Sequence, residues 1–180
     1  FKHQIETSGV SSRYTMFPDF NWACSNIENI KKEFDLNKYI ILFPFCSPHL
    51  QTKKWPNYNK LIDLIRDKFK DEYKIILAPG PNEINKTKEI NAISILKENK
   101  SLDISELATL IKDSTFVVAN DTGPAHMAAH LGVKGVALFG SHTTAYKVSI
   151  ERENFKAIQV TDLNKLSPEK VFEYLTKSLN

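Results

Sequence analysis

Two kinds of stretch alternate along the chain. Mostly apolar runs rich in β-branched and aromatic residues occupy positions 39–45 (YIILFPF), 73–78 (YKIILA), 115–119 (TFVVA), 136–139 (VALF) and 156–160 (KAIQV), with a shorter one at 92–96. Uninterrupted runs of this length suit strands covered on both faces, as in a parallel sheet. Between them, apolar residues recur at helical spacing: Ile27, Ile30 and Phe34, then Leu61, Ile62, Leu64, Ile65 and Phe69, then Leu107, Leu110 and Ile111. Polar punctuation marks the helix ends. Ser25 with Glu28, and Asp103 with Glu106, have capping-box spacing, while Asn57 and Ser167 stand where helix N-caps belong. Pro124 and Pro168 preset first turns, and Gly132 fits a left-handed C-terminal cap for a helix over 124–131. The stretch 83–91 predicts a weaker surface helix, 141–154 a polar loop and 168–179 a final helix. Residues 1–20 carry no sustained period and read as an extended connector. The chain therefore divides into a connector with a short helix, 1–36, and a domain, 37–180.

Strand and helix in alternation, with six strands, predict an α/β fold built on a Rossmann-like doubly wound parallel sheet. If the strand order is 3-2-1-4-5-6, the first and fourth strands are neighbours at the switch point, where open α/β sheets bind ligands. Two loops then meet at one crevice. The loop 46–57, CSPHLQTKKWPN, is long and basic and carries Lys53. The turn NDTGP at 120–124 opens a helix, with Asp121 and Thr122 able to cap and Gly123 able to take unusual backbone angles. A lysine facing a helix N-terminus across a crevice suits a diphosphate. The turn PGPNE at 79–83 ends at the same sheet edge.

Composition narrows the classes. With 180 residues and 42% hydrophobic content, the chain can bury one substantial core. A net charge of +3, from 24 basic and 21 acidic residues, is too balanced for a dedicated nucleic-acid binder. Cys24 and Cys46 lack metal-type spacing and read as two reduced thiols of a cytosolic protein. The longest apolar run, 39–45, is too short to span a bilayer. Opening at Phe1 in polar sequence, without Met, the chain reads as a fragment of something longer.

KKWP at 53–56, PGPNE at 79–83 and DTGPAHMAAHLG at 121–132, in that order and spacing, resemble the C-terminal half of glycosyltransferase family 9, the family of ADP-heptose lipopolysaccharide heptosyltransferases. The resemblance covers roughly 39–140, and DTGPxH followed by a small-residue helix and LG is its most specific part. It implies the donor-binding lobe of a two-lobed, GT-B type, inverting and metal-independent transferase. It also implies a nucleoside diphosphate sugar as substrate, ADP-sugar favoured, with no cofactor and no resident metal. A lipopolysaccharide-type glycolipid acceptor and the catalytic base would belong to the other lobe, so the fragment alone would be inactive. The expected location is cytoplasmic, peripheral to the inner face of the inner membrane. Carried over by position, Lys53 contacts the donor diphosphate, Glu83 holds the ribose hydroxyls and Asp121 faces the sugar. Thr122 and Gly123 present hydroxyl and N–H groups to phosphate, His126 lies one helical turn further in, and Ser47 joins the donor-binding set. The chain departs from the family pattern in Phe45, Cys46 and Ser47 after Pro44, and in Ser141, His142, Thr143 and Thr144 after the last FG. A bulky Phe45 either narrows the phosphate loop or points into the core, and the departure after FG bears on the donor sugar more than on the fold.

Each signal has a plainer reading. Lys53 and Lys54 also suit a solvated loop pair, Glu83 a first-turn balance for a helix dipole, and Asp121 and Thr122 ordinary N-caps. His126 and His130 have metal-ligand spacing, but without a following Glu or a third ligand they do not make a zinc site, and His130 reads as a cation at a helix C-terminus. Phe17, Phe20 and Trp22 suit either an interface for a second lobe or hydrophobic cover. The alternative to an enzyme is a non-catalytic nucleotide- or partner-binding module on the same fold. A doubly wound hydrolase is disfavoured by the lack of a GxSxG elbow and of a DxD pair after the first strand.

Overall fold

In the computed structural model of the chain, which describes residues 2–12, 19–47 and 49–179, the apolar runs become six strands. These are β1 Tyr39–Phe43, β2 Lys74–Leu77, β3 Ile93–Ser94, β4 Phe116–Asn120, β5 Gly135–Phe139 and β6 Phe155–Gln159. They form one parallel sheet in the order β3-β2-β1-β4-β5-β6. Ile41 of β1 lies opposite Ile76 of β2 on one side and Val117 of β4 on the other. Every residue of β1, β4 and β5 is buried, as expected of parallel strands covered on both faces, whereas the edge strands β3 and β6 each include exposed residues.

Among the described residues seven helices accompany the sheet: α1 Lys2–Thr7, α2 Glu28–Glu33, α3 Tyr58–Phe69, α4 Ile104–Lys112, α5 Gly123–His130, α6 Ala145–Val148 and α7 Pro168–Leu179. The two-residue alternation of strand side chains sorts them into layers. Tyr39, Ile41 and Phe43 pack with Ile30 of α2, Leu110 of α4 and Ala128 of α5. Ile40 and Leu42 pack with Leu61 and Ile65 of α3 and with Val171 and Leu175 of α7. Ile41 is wholly removed from water, which contributes about 1.5–3 kcal/mol. In α5, Ala125, Ala128 and Ala129 are buried, and their small side chains allow the helix to lie close to the sheet. Gly132 follows with φ +73°, the left-handed conformation expected of the residue that ends this helix.

Caps formed where reciprocal local bonds were available. Asp103 Oδ1 accepts from the Glu106 amide at 2.8 Å, and Glu106 Oε2 accepts from the Asp103 amide at 3.1 Å. Ser167 Oγ accepts from the Lys170 amide at 3.3 Å. Elsewhere tertiary contacts won. Asn57 precedes α3 without capping it, because its amide donates to the Leu166 carbonyl at 3.2 Å. The Ser25 capping box is likewise absent. Both the amide and the carbonyl of Ser25 bond to the Thr109 hydroxyl, and Asn26 Oδ1 accepts from the Glu28 amide instead. The expected helix over 83–91 is a 3-10 segment, Ile84–Glu89, and the expected loop over 141–154 contains α6, started by Thr144 Oγ1 accepting from the Lys147 amide. The expected extended connector begins instead with α1, since six residues are too few to display a helical period, and a 3-10 turn, Asn21–Ala23, follows it. Cys24 and Cys46 are both free. Among the described residues no helix is long and apolar enough to cross a membrane.

Candidate functional site

Where β1 and β4 adjoin, two loops leave the sheet at the same edge, and each is fixed by a buried side chain. Trp55 fixes the first. It is fully buried, its indole N–H donates to the Leu166 carbonyl at 2.9 Å, and its ring meets Tyr58 edge-on with centroids 5.0 Å apart. Two residues earlier, Lys53 ends the 3-10 turn Gln51–Lys53 and reaches across to β4, where its Nζ lies 2.6 Å from Asp121 Oδ2.

Asn120 fixes the second loop. A fully buried amide is costly unless its groups are bonded, and here they are. Nδ2 donates to the Pro44 carbonyl at 2.8 Å, while Oδ1 accepts from the Trp55 amide at 3.3 Å and lies 3.2 Å from the Tyr58 hydroxyl. One asparagine thus ties the end of β4 to the exit of β1 and to the Lys53 loop. Asp121, next in sequence, gathers three side chains. Lys53 and His142 Nε2, the latter at 3.1 Å, both meet Oδ2, and His126 Nε2 stands 3.6 Å from Oδ1. Burial opposes the charged carboxylate, but bonds from His126, Lys53 and His142 outweigh it and hold the Asp121 carboxyl well below the usual carboxylate range.

Thr122 occupies the N-cap position of α5 without capping it; its hydroxyl lies 3.3 Å from the Asn120 carbonyl. Among the described residues no side chain caps this helix start, and Pro124 offers no N–H, so the exposed Gly123 provides the first-turn amide. A Cβ added at Gly123 would meet nothing within 4 Å, so the approach to that amide is open.

Beside this cluster lies a pocket of about 310 Å³ between the ends of β1 and β2 and the start of α4. Phe43, Phe45, Leu77 and Leu107 line it with apolar surface, and Glu83 and Thr122 bring polar groups to it. Glu83 Oε2 accepts from the Gly80 amide at 2.9 Å, which closes the 79–83 turn. Phe45, one of the departures noted in the sequence, packs with Trp55 and Tyr58 in the core while forming part of the pocket wall.

The model of glycosyltransferase family 9 (heptosyltransferase) matches residues 10–172 of this chain. The chain belongs to glycosyltransferase family 9. No curated protein sequence matches it. Among solved structures it is similar to E. coli heptosyltransferase WaaC with ADP, with TM-score 0.71, 19% identity, 97% of this chain and 53% of that one covered. It is also similar to E. coli ADP-heptose lipopolysaccharide heptosyltransferase II, with TM-score 0.69, 20% identity and coverage of 84% and 50%. A more distant likeness is UDP-GlcNAc 2-epimerase from Methanocaldococcus jannaschii in complex with UDP-GlcNAc and UDP, with TM-score 0.61, 16% identity and coverage of 99% and 52%. At these identities the likeness speaks for the fold, and the chain spans about half the length of these relatives.

In this family 9 chain the residues singled out from sequence are partly assembled. Lys53, Asp121 and His126 meet directly, and Thr122 joins their cluster to the pocket that Glu83 lines. Gly123 stands at the open helix start. Ser47 is exposed on the Lys53 loop, with its carbonyl accepting from the Leu50 amide at 2.9 Å. His126 is turned to Asp121, and among the described residues no group of three or more His, Cys, Asp or Glu is placed to hold a metal ion. His130 does end α5, but its expected role as a cation is corrected. Burial and the neighbouring Arg152, whose Nη2 lies 3.4 Å from Nδ1, lower its pKa, so the positive charge there is the arginine's. Phe20 packs against the His130 ring at 5.5 Å, Trp22 is 82% exposed, and Phe17 lies outside the described residues. Sequence reasoning passed over two members of the site. Asn120 was signalled by a lone amide ending an apolar strand, and His142 by a histidine just past the next central strand.

Proposed function

We propose that this chain is the donor-binding lobe of an inverting, metal-independent glycosyltransferase that takes a nucleoside diphosphate sugar, with ADP-sugar favoured. A second lobe would supply a lipopolysaccharide-type acceptor and the base. The observation that carries this reading is the order of parts along one crevice: an apolar pocket, a carboxylate at its wall, then a lysine beside an uncapped helix start. A nucleoside diphosphate has the matching order of flat base, ribose hydroxyls and diphosphate. The pocket volume of about 310 Å³ falls at the lower end of the roughly 300–1,000 Å³ typical of small-molecule sites. Glu83 spends one oxygen on the Gly80 amide, and its second is the acceptor suited to a ribose hydroxyl. ADP and UDP in the neighbours named above support a nucleoside diphosphate.

In the transfer, an acceptor hydroxyl forms a bond to the anomeric carbon as the bond to the β-phosphate oxygen breaks on the opposite face, which inverts the centre. The hydroxyl proton goes to the base of the second lobe. Negative charge grows on the departing diphosphate, and the Lys53 ammonium and the amide of Gly123 are the groups that stabilise it, with Ser47 on the same loop as Lys53 completing the set. Asp121 faces the sugar, and His126 lies one helical turn further in, against Asp121.

Thermal denaturation of the chain with ADP, UDP and GDP tests this. A nucleotide present at about a hundredfold excess over its Kd adds about 2.7 kcal/mol, which raises the Tm of a domain this size by roughly 5–10 °C. The expected result is such a shift with ADP, smaller with UDP and GDP. No shift with any of the three would remove the donor site.

A further inference from the structure

Lys53 has two claims on it. It neutralises the buried Asp121 carboxylate, and in the donor-site reading above, on which this inference rests, it also grips the diphosphate. A diphosphate at the ammonium brings further negative charge beside a carboxylate whose side chain is only 5% exposed. A buried carboxylate that loses its partner is strongly destabilised, so another donor must hold it during binding.

We infer that His142 is a positioning residue that keeps the Asp121 carboxylate bonded and oriented while the donor diphosphate engages Lys53. Its Nε2 lies 3.1 Å from Oδ2, the oxygen that Lys53 uses, whereas His126 stands 3.6 Å from the other oxygen and its side chain is 35% exposed. The ring of His142 is held from several sides. Its side chain is 9% exposed and stacks on Phe139, with centroids 6.0 Å apart and planes 14° from parallel. The loop carrying it is pinned to β6 by one side chain. Gln159 Nε2 donates to the carbonyls of Gly140, at 2.7 Å, and Thr143, at 3.1 Å, and its Oε1 accepts from the Ala145 amide at 3.2 Å.

Among the described residues the other ring nitrogen, Nδ1, is buried without a hydrogen-bond partner. That pattern fits a neutral ring with its proton on Nε2. A buried lone pair is tolerated more readily than a buried, unpartnered N–H; the charged group bonded to the ring is Asp121, and Lys53 and His126 meet that same carboxylate. A neutral donor holds the carboxylate without becoming a second cation that competes with Lys53 for the diphosphate.

Calorimetric titration of the unaltered chain, His142→Gln and His142→Phe with ADP and with adenosine tests the assignment. Gln retains an N–H near the position of Nε2, and Phe retains a flat ring against Phe139. ADP affinity should stay within about threefold in His142→Gln and weaken about tenfold or more in His142→Phe, the scale of a hydrogen bond to a charged group. Adenosine, which carries no phosphate, should bind all three alike. The inference is overturned if the Phe variant binds ADP like the unaltered chain, if Gln loses as much as Phe, or if adenosine weakens in parallel. Should the unaltered chain bind none of ADP, UDP and GDP, the donor-site reading fails, and ring ¹⁵N NMR still decides the hold on Asp121. An Nε2–H tautomer that persists in Lys53→Met and is lost in Asp121→Ala supports it, and a tautomer mixture indifferent to Asp121→Ala overturns it.

Discussion

Glu106 and Asp121 are both buried carboxylates, 7% and 6% exposed, with a lysine ammonium against each. The partners of Glu106 are local. They are the Asp103 amide, three residues away, and Lys97, nine residues away with a side chain 55% exposed. The partners of Asp121 come from three elements, including Lys53 at 68 residues and His142 at 21. Among the described residues no backbone amide bonds to the Asp121 side chain. A carboxylate satisfied by the start of its own helix is a building part, fixed once that helix forms. One satisfied by converging side chains depends on partners that an anion can draw away, which is what a donor site needs.

The largest expected difference between the two clusters is in binding. Replacing Lys53 by Met keeps the aliphatic stem and removes the charge. Loss of one charge-assisted contact should weaken ADP by about 1.5–3 kcal/mol, or roughly 10- to 150-fold. Glu106→Gln should leave ADP affinity unchanged when both variants are titrated side by side. Equal losses in the two would mean that the Asp121 cluster is no more a binding site than the Glu106 cluster.

Acid stability separates them next. The Asp121 carboxyl is held below its ordinary value of 3.8 in the folded chain, so near and below that pH the unfolded chain binds a proton that the folded chain refuses. Stability from this group is therefore complete above about pH 5 and is lost progressively as pH falls past the unfolded value. Asp121→Asn has no such proton to bind. It should be less stable than the unaltered chain at pH 7 and should lose less between pH 5 and pH 2, as followed by thermal denaturation. Parallel acid limbs would mean that the cluster around Asp121 is not formed in solution.

Much of this contrast could be read without coordinates, and the remainder has a physical reason for being hidden. The Asp103–Glu106 box was legible because both partners lie within one helical turn; periodicity gave the alternation of strands and helices, while the meeting of the Lys53 and Asp121 loops followed only on the condition of a 3-2-1-4-5-6 order, which is the order observed. Asn57 misled because its side-chain amide found a stronger claim at the Leu166 carbonyl, and Ser25 because its backbone, not its hydroxyl, is held by Thr109, which leaves the hydroxyl buried and off the helix start. Those partners lie 109 and 84 residues away, beyond any local pattern. His142 stayed out of view for a related reason: strand order brings its loop to the same edge as Asp121, but no local pattern tells which side chain of that loop turns to a carboxylate 21 residues away.

The smallest expected effect sharpens the contrast from the structural side. Asp103→Ala removes the cap of α4, which should cost about 1 kcal/mol, or a fall in Tm of roughly 2–4 °C. Yet α4 also supplies Ile104 and Leu107 to the pocket wall, so a frayed first turn is not silent. In the proposed donor site any loosening of that wall would act on the base, not on the phosphates, and should weaken ADP and adenosine by the same factor, about threefold at most, since burial of one side chain is only partly lost. In the proposed donor site Lys53→Met would act on the phosphates and should weaken ADP alone. The ratio of ADP to adenosine affinity, measured in both variants, therefore reports which end of the crevice a substitution has disturbed. A ratio that shifts in Asp103→Ala would place the phosphates nearer α4 than the Lys53–Asp121 cluster allows.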